Sequence, residues 1–338
     1  ASLWVHAARN KRARPPIIVA CSATNQAVTN IIYSFAKANS QPGPLADRWL
    51  PEISSYGTFC SSRTKSKEIS DIPIELIDGT GTIESFENLA YLAKAERYFL
   101  EKFRAFAFET DSLEKAVAHL HTALRKEFSA LYSSISRAQY GSLIAYLQGF
   151  FKPETEAEVQ KFNDTLASLD TTHRYTAFRL ATHYWEGRWI LEATTLPLEK
   201  SRKDRFRGGR RREDWQRLAM LTPCFVSTFY MAPKFFGGKR LGSEPPIDLL
   251  IADEAGQVPT EVGAASFALA KRGLVIGDSE QLEPIWSIPE YVDEGNLAAL
   301  KFVKKGDEQQ LERLKRSGLL ASSGSLMKRA TQILSLIH

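Results

Sequence analysis

Cysteine, methionine and long apolar runs are what this sequence has least of. Its 338 residues hold three cysteines and three methionines. Cys21, Cys60 and Cys224 are far apart and odd in number, which excludes a disulfide-stapled scaffold and leads to the expectation of a reducing, cytoplasmic setting. Their spacing does not suit a zinc site either. No stretch reaches the ~18 continuous apolar residues of a membrane-crossing helix, so no membrane partner is expected. The amino-terminal residues lack the basic, apolar, small-residue order of a secretory signal. The first residue is Ala1 rather than Met, which hints at a piece of a longer chain.

What is present suits a water-exposed globular protein of about two domains, with 43% hydrophobic and 25% charged residues. The net charge of +5 is local. Residues 201–217 alone carry eight Lys/Arg against three Asp/Glu. Within this run Arg210, Arg211 and Arg212 are candidates for nucleic-acid phosphates, and a solvated loop is the alternative.

The pattern along the chain alternates between strand and helix signals. Ile17 to Cys21 form a short apolar run, and Ser22-Ala23-Thr24-Asn25 opens a helix carrying Val28, Ile31, Ile32 and Phe35. Residues 40–82 are rich in Pro, Gly, Ser and Thr and read as a long irregular connection. From Ser85 to Leu198 the pattern is helical, with Tyr175, Phe178, Thr182, Trp185 and Trp189 forming one aromatic stripe. The stripe reads as core, and the histidines read as ordinary helix residues. Strand signals return at 224–226, 247–252 and 274–276, each apolar run ending in polar residues, as buried parallel strands do. Four strand ends are thereby expected to converge on one site, because ligands gather at the carboxyl ends of such strands.

The sharpest local signal is Leu249-Leu250-Ile251-Ala252-Asp253-Glu254-Ala255-Gly256-Gln257. An apolar strand delivers two adjacent carboxylates, one able to join a Mg²⁺ shell and the other to orient and deprotonate a water. Solvated acids at a strand end are the plain alternative. Upstream, Thr24 and Asn25, with Ser227 and Thr228, offer hydroxyl and amide groups at strand ends and a helix start. Such groups hold phosphodiesters without reading bases, and they also cap helices.

Together with Gly277-Asp278-Ser279-Glu280-Gln281-Leu282-x-Pro284, these segments resemble superfamily 1 helicases of the branch typified by the nonsense-mediated-decay helicase. The D-E-A-x-Q and G-D-x-x-Q-L-x-P motifs, a motif Ia-like Cys21–Val28 and the Phe225–Phe229 element stand in that family's order. The resemblance covers about residues 1–38 and 218–338. It implies an α/β fold, a RecA-like P-loop motor domain interrupted over 39–217 by a mainly helical insertion. It implies ATP and Mg²⁺ as cofactors and single-stranded DNA or RNA as partner. Asp253 would hold Mg²⁺, Glu254 would activate water, and Gln257 and Gln281 would face the nucleotide. Trp286, after Pro284-Ile285, is a candidate for stacking a base, with burial against the following helix as the other reading.

The sequence departs from the family in two respects: the second RecA-like domain, with the arginines that contact the γ-phosphate, is expected to be absent from this chain, and the phosphate loop is missing as well. The phosphate-binding G-x-x-x-x-G-K-[ST] loop that belongs before motif Ia is missing from residues 1–16. Gly238-Lys239-Arg240 fails the pattern, and Asp78-Gly79-Thr80-Gly81-Thr82 has no lysine. The reading is therefore a partial motor, inactive by itself, with a non-enzymatic nucleic-acid-binding module derived from such a motor as the alternative.

Overall fold

The computed structural model describes residues 2–40, 47–62, 72–137, 155–200, 210–237, 244–278, 283–304 and 306–335. The chain forms two compact units. A sheet unit is built from Pro16–Ala46, Ser54–Phe86 and Glu199–His338, and a helical unit from Ala1–Pro15, Asp47–Ile53 and Glu87–Leu198.

The sheet unit is α/β, with six parallel strands flanked by helices. The strands are β1 (Ile18–Ser22), β2 (Gly57–Cys60), β3 (Ile74–Glu75), β4 (Cys224–Thr228), β5 (Leu249–Ala252) and β6 (Gly273–Val275), in the order β3-β2-β4-β1-β5-β6. Parallel strands bury both faces, and β1 and β4 are buried at every residue. Their register pairs Val19 with Phe225, while β1 and β5 pair Ile18 with Leu249. The helix Asn25–Ser40 packs over β1, β2 and β4. The helix Arg212–Leu221 brings Trp215 to 5.0 Å from Phe225 and 4.4 Å from Phe236, ring centroid to centroid. Burying Phe225 alone contributes about 1.5–3 kcal/mol.

The four strands expected from the sequence all form, and the structure adds β2 and β3 inside the segment read as irregular. Both were hidden for physical reasons. In β2, Gly57 leaves room that the Asn25–Ser40 helix fills: a Cβ there would lie 2.7 Å from the ring of Phe35. In β3, the fully buried residue is an acid, Glu75.

Glu75 is tolerated because Arg210 neutralises it. The Arg210 guanidinium is buried, ion-paired with both Glu75 and Glu84, and donates from Nη1 to the Leu76 carbonyl at 3.2 Å. It also lies 4.6 Å over the Trp215 ring. Burial works against the Arg210 charge, yet Glu84 and Glu75 outweigh it and raise its pKa above the ordinary value. Arg212 is likewise engaged, its Nη2 donating to both carboxylate oxygens of Asp248 at 2.7 Å and its Nη1 to the Pro246 carbonyl at 2.6 Å. The expectation that Arg210 and Arg212 meet phosphates is corrected accordingly: their charges are spent inside the sheet unit. Arg211 remains exposed, beside Asp214, and residues 201–209 lie outside the described residues.

The helical unit is arranged on Leu89–Phe106, Leu113–Arg137 and Tyr175–Ala193. The last of these is not a one-faced stripe. Residues 180–187 are buried in succession, so the helix is enclosed on all sides. Its buried carboxylate, Glu186, is matched by partners. Glu186 accepts from Arg48 Nε at 2.5 Å and from the Trp49 backbone at 3.2 Å, and lies 3.0 Å from His183 Nδ1, while Trp49 stacks on His183 at 3.8 Å. Burial alone would raise the Glu186 pKa, but Arg48 and His183 hold it below the usual carboxylate range. Among the described residues no helix is long and apolar enough to cross a membrane.

Two outcomes follow from this packing. Arg210→Ala leaves two buried carboxylates without their cation and is expected to cost about 3–5 kcal/mol in urea unfolding at neutral pH. Burial also pushes the thiols of Cys21, Cys60 and Cys224 above the ordinary range, Cys224 to about 12. A disulfide reagent at pH 8 should therefore label none of the three in the native chain and all three in denaturant.

Candidate functional site

The carboxyl ends of β5 and β6 are fastened to each other by backbone hydrogen bonds. Ile276 donates to the Ala252 carbonyl at 2.8 Å, and Ala255 donates back to the Ile276 carbonyl at 3.0 Å. Asp253 donates its amide to the Cys21 carbonyl at 2.8 Å, which ties the same point to the end of β1. Two glycines make the approach possible. A Cβ on Gly256 would sit 2.9 Å from the Asp278 carbonyl oxygen, and one on Gly277 would sit 3.0 Å from the Ala255 nitrogen.

Between them the chain makes a sharp turn at Glu254, whose φ of 52° and ψ of 42° are left-handed. It then enters a single 3₁₀ turn, Ala255–Gln257. Asp253, Glu254 and Gln257 are half-buried, and Asp278 is exposed. A left-handed glutamate stores strain of about 1–2 kcal/mol, which the surrounding hydrogen bonds hold in place. Two carboxylates at one strand end, with Asp278 on the neighbouring loop, form an acidic rim of hard oxygen donors. That donor set suits Mg²⁺, which commonly takes one or two carboxylates and leaves the remaining positions to water and phosphate. Among the described residues no group of three or more His, Cys, Asp or Glu could hold a metal ion by itself.

The ends of β1 and β4 lie next in the sheet, where Phe229 donates to the Ser22 carbonyl at 3.2 Å and Ser22 pairs in register with Thr228. Thr24 and Asn25 are exposed at the start of the Asn25–Ser40 helix. The Thr24 hydroxyl accepts from the Ala27 amide at 3.1 Å, so it caps the helix. Thr228 is nearly buried. Ser227 points into the sheet and donates to the Cys60 carbonyl at 3.3 Å, which corrects its assignment as a phosphate ligand. Trp286 is half-buried and donates its indole N–H to the Gly324 carbonyl at 3.0 Å, an internal use that favours burial over stacking. Gln281 lies outside the described residues.

One side chain escaped the sequence reading. Tyr230, two residues beyond Thr228, is 63% exposed at the β4 end. An exposed aromatic after Ser227-Thr228-Phe229 was the available signal, and it was hidden by treating the apolar run as ending in hydroxyls.

The left-handed turn separates what Glu254 does for the fold from what it does for chemistry. Glu254→Gly should fold normally and unfold in urea with a gain of up to about 1 kcal/mol, because glycine adopts this backbone without strain. A loss of more than 1 kcal/mol would show that the carboxylate itself holds the loop. No protein-family model matches the chain, and no curated protein matches it.

Proposed function

We propose that this chain carries part of an ATP-driven, superfamily 1-type motor domain with a RecA-like sheet, acting on single-stranded nucleic acid. The observation that carries the reading is the juxtaposition of Asp253-Glu254 with Gly277-Asp278 at the carboxyl ends of adjacent parallel strands. In open parallel sheets this is where ligands bind. Asp253 would contribute to holding Mg²⁺, and Glu254 would orient and deprotonate water, with Gln257 on the following turn. ATP, when bound, supplies the phosphoanhydride whose hydrolysis does the work. Thr24, Asn25 and Thr228, on the two neighbouring strand ends, would steady a phosphodiester backbone, with Tyr230 available to a base.

A second reading has its own support. The 338 residues contain no G-x-x-x-x-G-K-[ST] run to cradle a triphosphate. A non-enzymatic nucleic-acid-binding module would need none.

Hydrolysis assays separate the two. The 338-residue chain should turn over ATP at trace level, because carboxylates without a phosphate loop cannot fix the reacting geometry. The product of the whole reading frame should hydrolyse ATP faster with an oligonucleotide present. Glu254→Gln in that product should lower the stimulated rate by about 10²–10⁴, the usual contribution of a general base. Oligonucleotide binding without any turnover in the whole product would establish the binding module instead.

A further inference from the structure

The helical unit carries a cationic groove that the reading of the sheet unit does not use. It encloses about 970 Å³ and is formed by the loop after the Ser2–Ala7 helix and one face of the Leu113–Arg137 helix. Arg9, Lys11, Arg125 and Lys126 line it, with Asn10 and Ser129 as neutral polar neighbours and no carboxylate.

Several other cations of the unit are neutralised where they lie. Arg14, Arg48, Lys94, Arg104 and Arg174 each sit on a carboxylate. Among the described residues no ion pair involves Arg9, Lys11, Arg125 or Lys126. Bringing four like charges to one concave face costs free energy in the absence of a counter-ion, so folding stability does not explain the arrangement.

The face is also held in shape from beneath. His121 Nε2 lies 2.9 Å from the Arg9 carbonyl, and Arg188 donates to the Lys11 carbonyl at 2.9 Å, so the loop backbone is pinned while the Lys11 side chain stays exposed. The Arg9 guanidinium lies 4.9 Å over the Phe128 ring and 5.5 Å over that of Tyr132. Arg125 and Ser129 follow His121 at four-residue intervals, so they share its helix face, and Lys126 is adjacent and exposed. The His121 imidazole is held below its ordinary range, by burial first and then by the nearby cations of Lys11, Arg125 and Arg188.

We propose that this groove binds the phosphodiester backbone of a nucleic-acid strand. Pockets for small organic ligands are mostly apolar, and this one presents cations and neutral donors instead. Membrane-surface contact calls for an amphipathic helix face with projecting apolar side chains, whereas here the cations line a concavity. A run of phosphates supplies the repeated negative charge that four unpaired cations require, and it needs no base-specific contact. The surface stands independently of the acidic rim at β5 and β6.

The test is fluorescence anisotropy of a labelled oligothymidylate with the 338-residue chain, without nucleotide, across a salt series. Lys11→Ala/Arg125→Ala/Lys126→Ala is expected to weaken binding about tenfold or more. The slope of log affinity against log salt should flatten by about 0.7 for each lost contact, or about 2 in all. Lys94→Ala/Lys102→Ala, in the same unit but on carboxylates, is expected to change neither quantity. All three substituted groove residues are exposed, and an unchanged thermal unfolding curve shows that the triple variant is folded. Unchanged affinity and slope in that folded variant would overturn the proposal. So would a loss seen only with polyglutamate or with phosphatidylserine vesicles, which would assign the groove to an acidic protein or to a lipid surface. Because no nucleotide is present, the motor reading can fail on ATP turnover while this result stands, and the reverse.

Discussion

Everything in the sheet unit hangs on the placement of β1 between β4 and β5. A parallel strand in that position donates and accepts on both edges and is covered on both faces, so it can contain little but apolar residues until it ends. Ile18–Ser22 meets that demand with complete burial. At its carboxyl end the strand also fixes its neighbours. The Cys21 carbonyl takes the Asp253 amide and the Ser22 carbonyl takes the Phe229 amide, so one strand end aligns the chain exits of both neighbours. The acids that follow β5 and the residues that follow β4 thereby leave the sheet on either side of one strand end.

Charge inside the protein follows a second rule: a buried ion must be matched where it lies. Arg210 with Glu75 and Glu84, and Arg48 with Glu186 and His183, obey it in the sheet unit and the helical unit respectively. Such clusters add less net stability than their Coulomb attraction suggests, since desolvation offsets much of it. Their effect is to make the fold intolerant of losing any one member. Arg210 fixes the short strand β3 to the segment preceding the Arg212–Leu221 helix, and Arg48 fixes residues 47–53 to the helical unit. The groove cations lie outside this rule, since none of them is buried, and what sets them apart is that four of them share one concave face.

How far the sequence reveals the structure depends on how a residue's environment is set. β1, β4, β5 and β6 were legible because each is written as a continuous apolar run ending in polar residues, which for β1 and β4 reflects burial at every residue. β2 and β3 were not, since Gly57 and Glu75 make sense only once Phe35 and Arg210 are seen against them. Arg210, Arg211 and Arg212 read as one basic patch, yet two of the three point inward to carboxylates that are distant in sequence, Glu75, Glu84 and Asp248. Asp253 and Glu254 were legible as a pair at a strand end, but the left-handed turn at Glu254 was not, because glutamate carries no local preference for it. The groove was invisible for a related reason. Its cations come from positions 9 to 11 and 125 to 126, and only the fold brings them to one face.

The two edges of the sheet are treated differently, and the difference bears on the site. At the β3 edge, Glu75 is sealed by Arg210 and Glu84, so the last strand is pinned by charge. At the β6 edge no such device is present among the described residues. The helix Leu326–Ser335 approaches β6, yet Leu274 and Ile276 remain 48% and 46% exposed. An edge strand of three residues, with exposed apolar side chains, resists local opening less than a central one. The loop carrying Gly277 and Asp278 therefore owes its position to the Ala255–Ile276 and Ile276–Ala252 hydrogen bonds and to the glycine contacts beside them. On its β5 side the acidic rim is backed by β1, and on its β6 side the sheet ends. Strand order alone therefore gives Asp253 and Glu254 backbone support from both β1 and β6, while Gly277 and Asp278 are supported from the β5 side only.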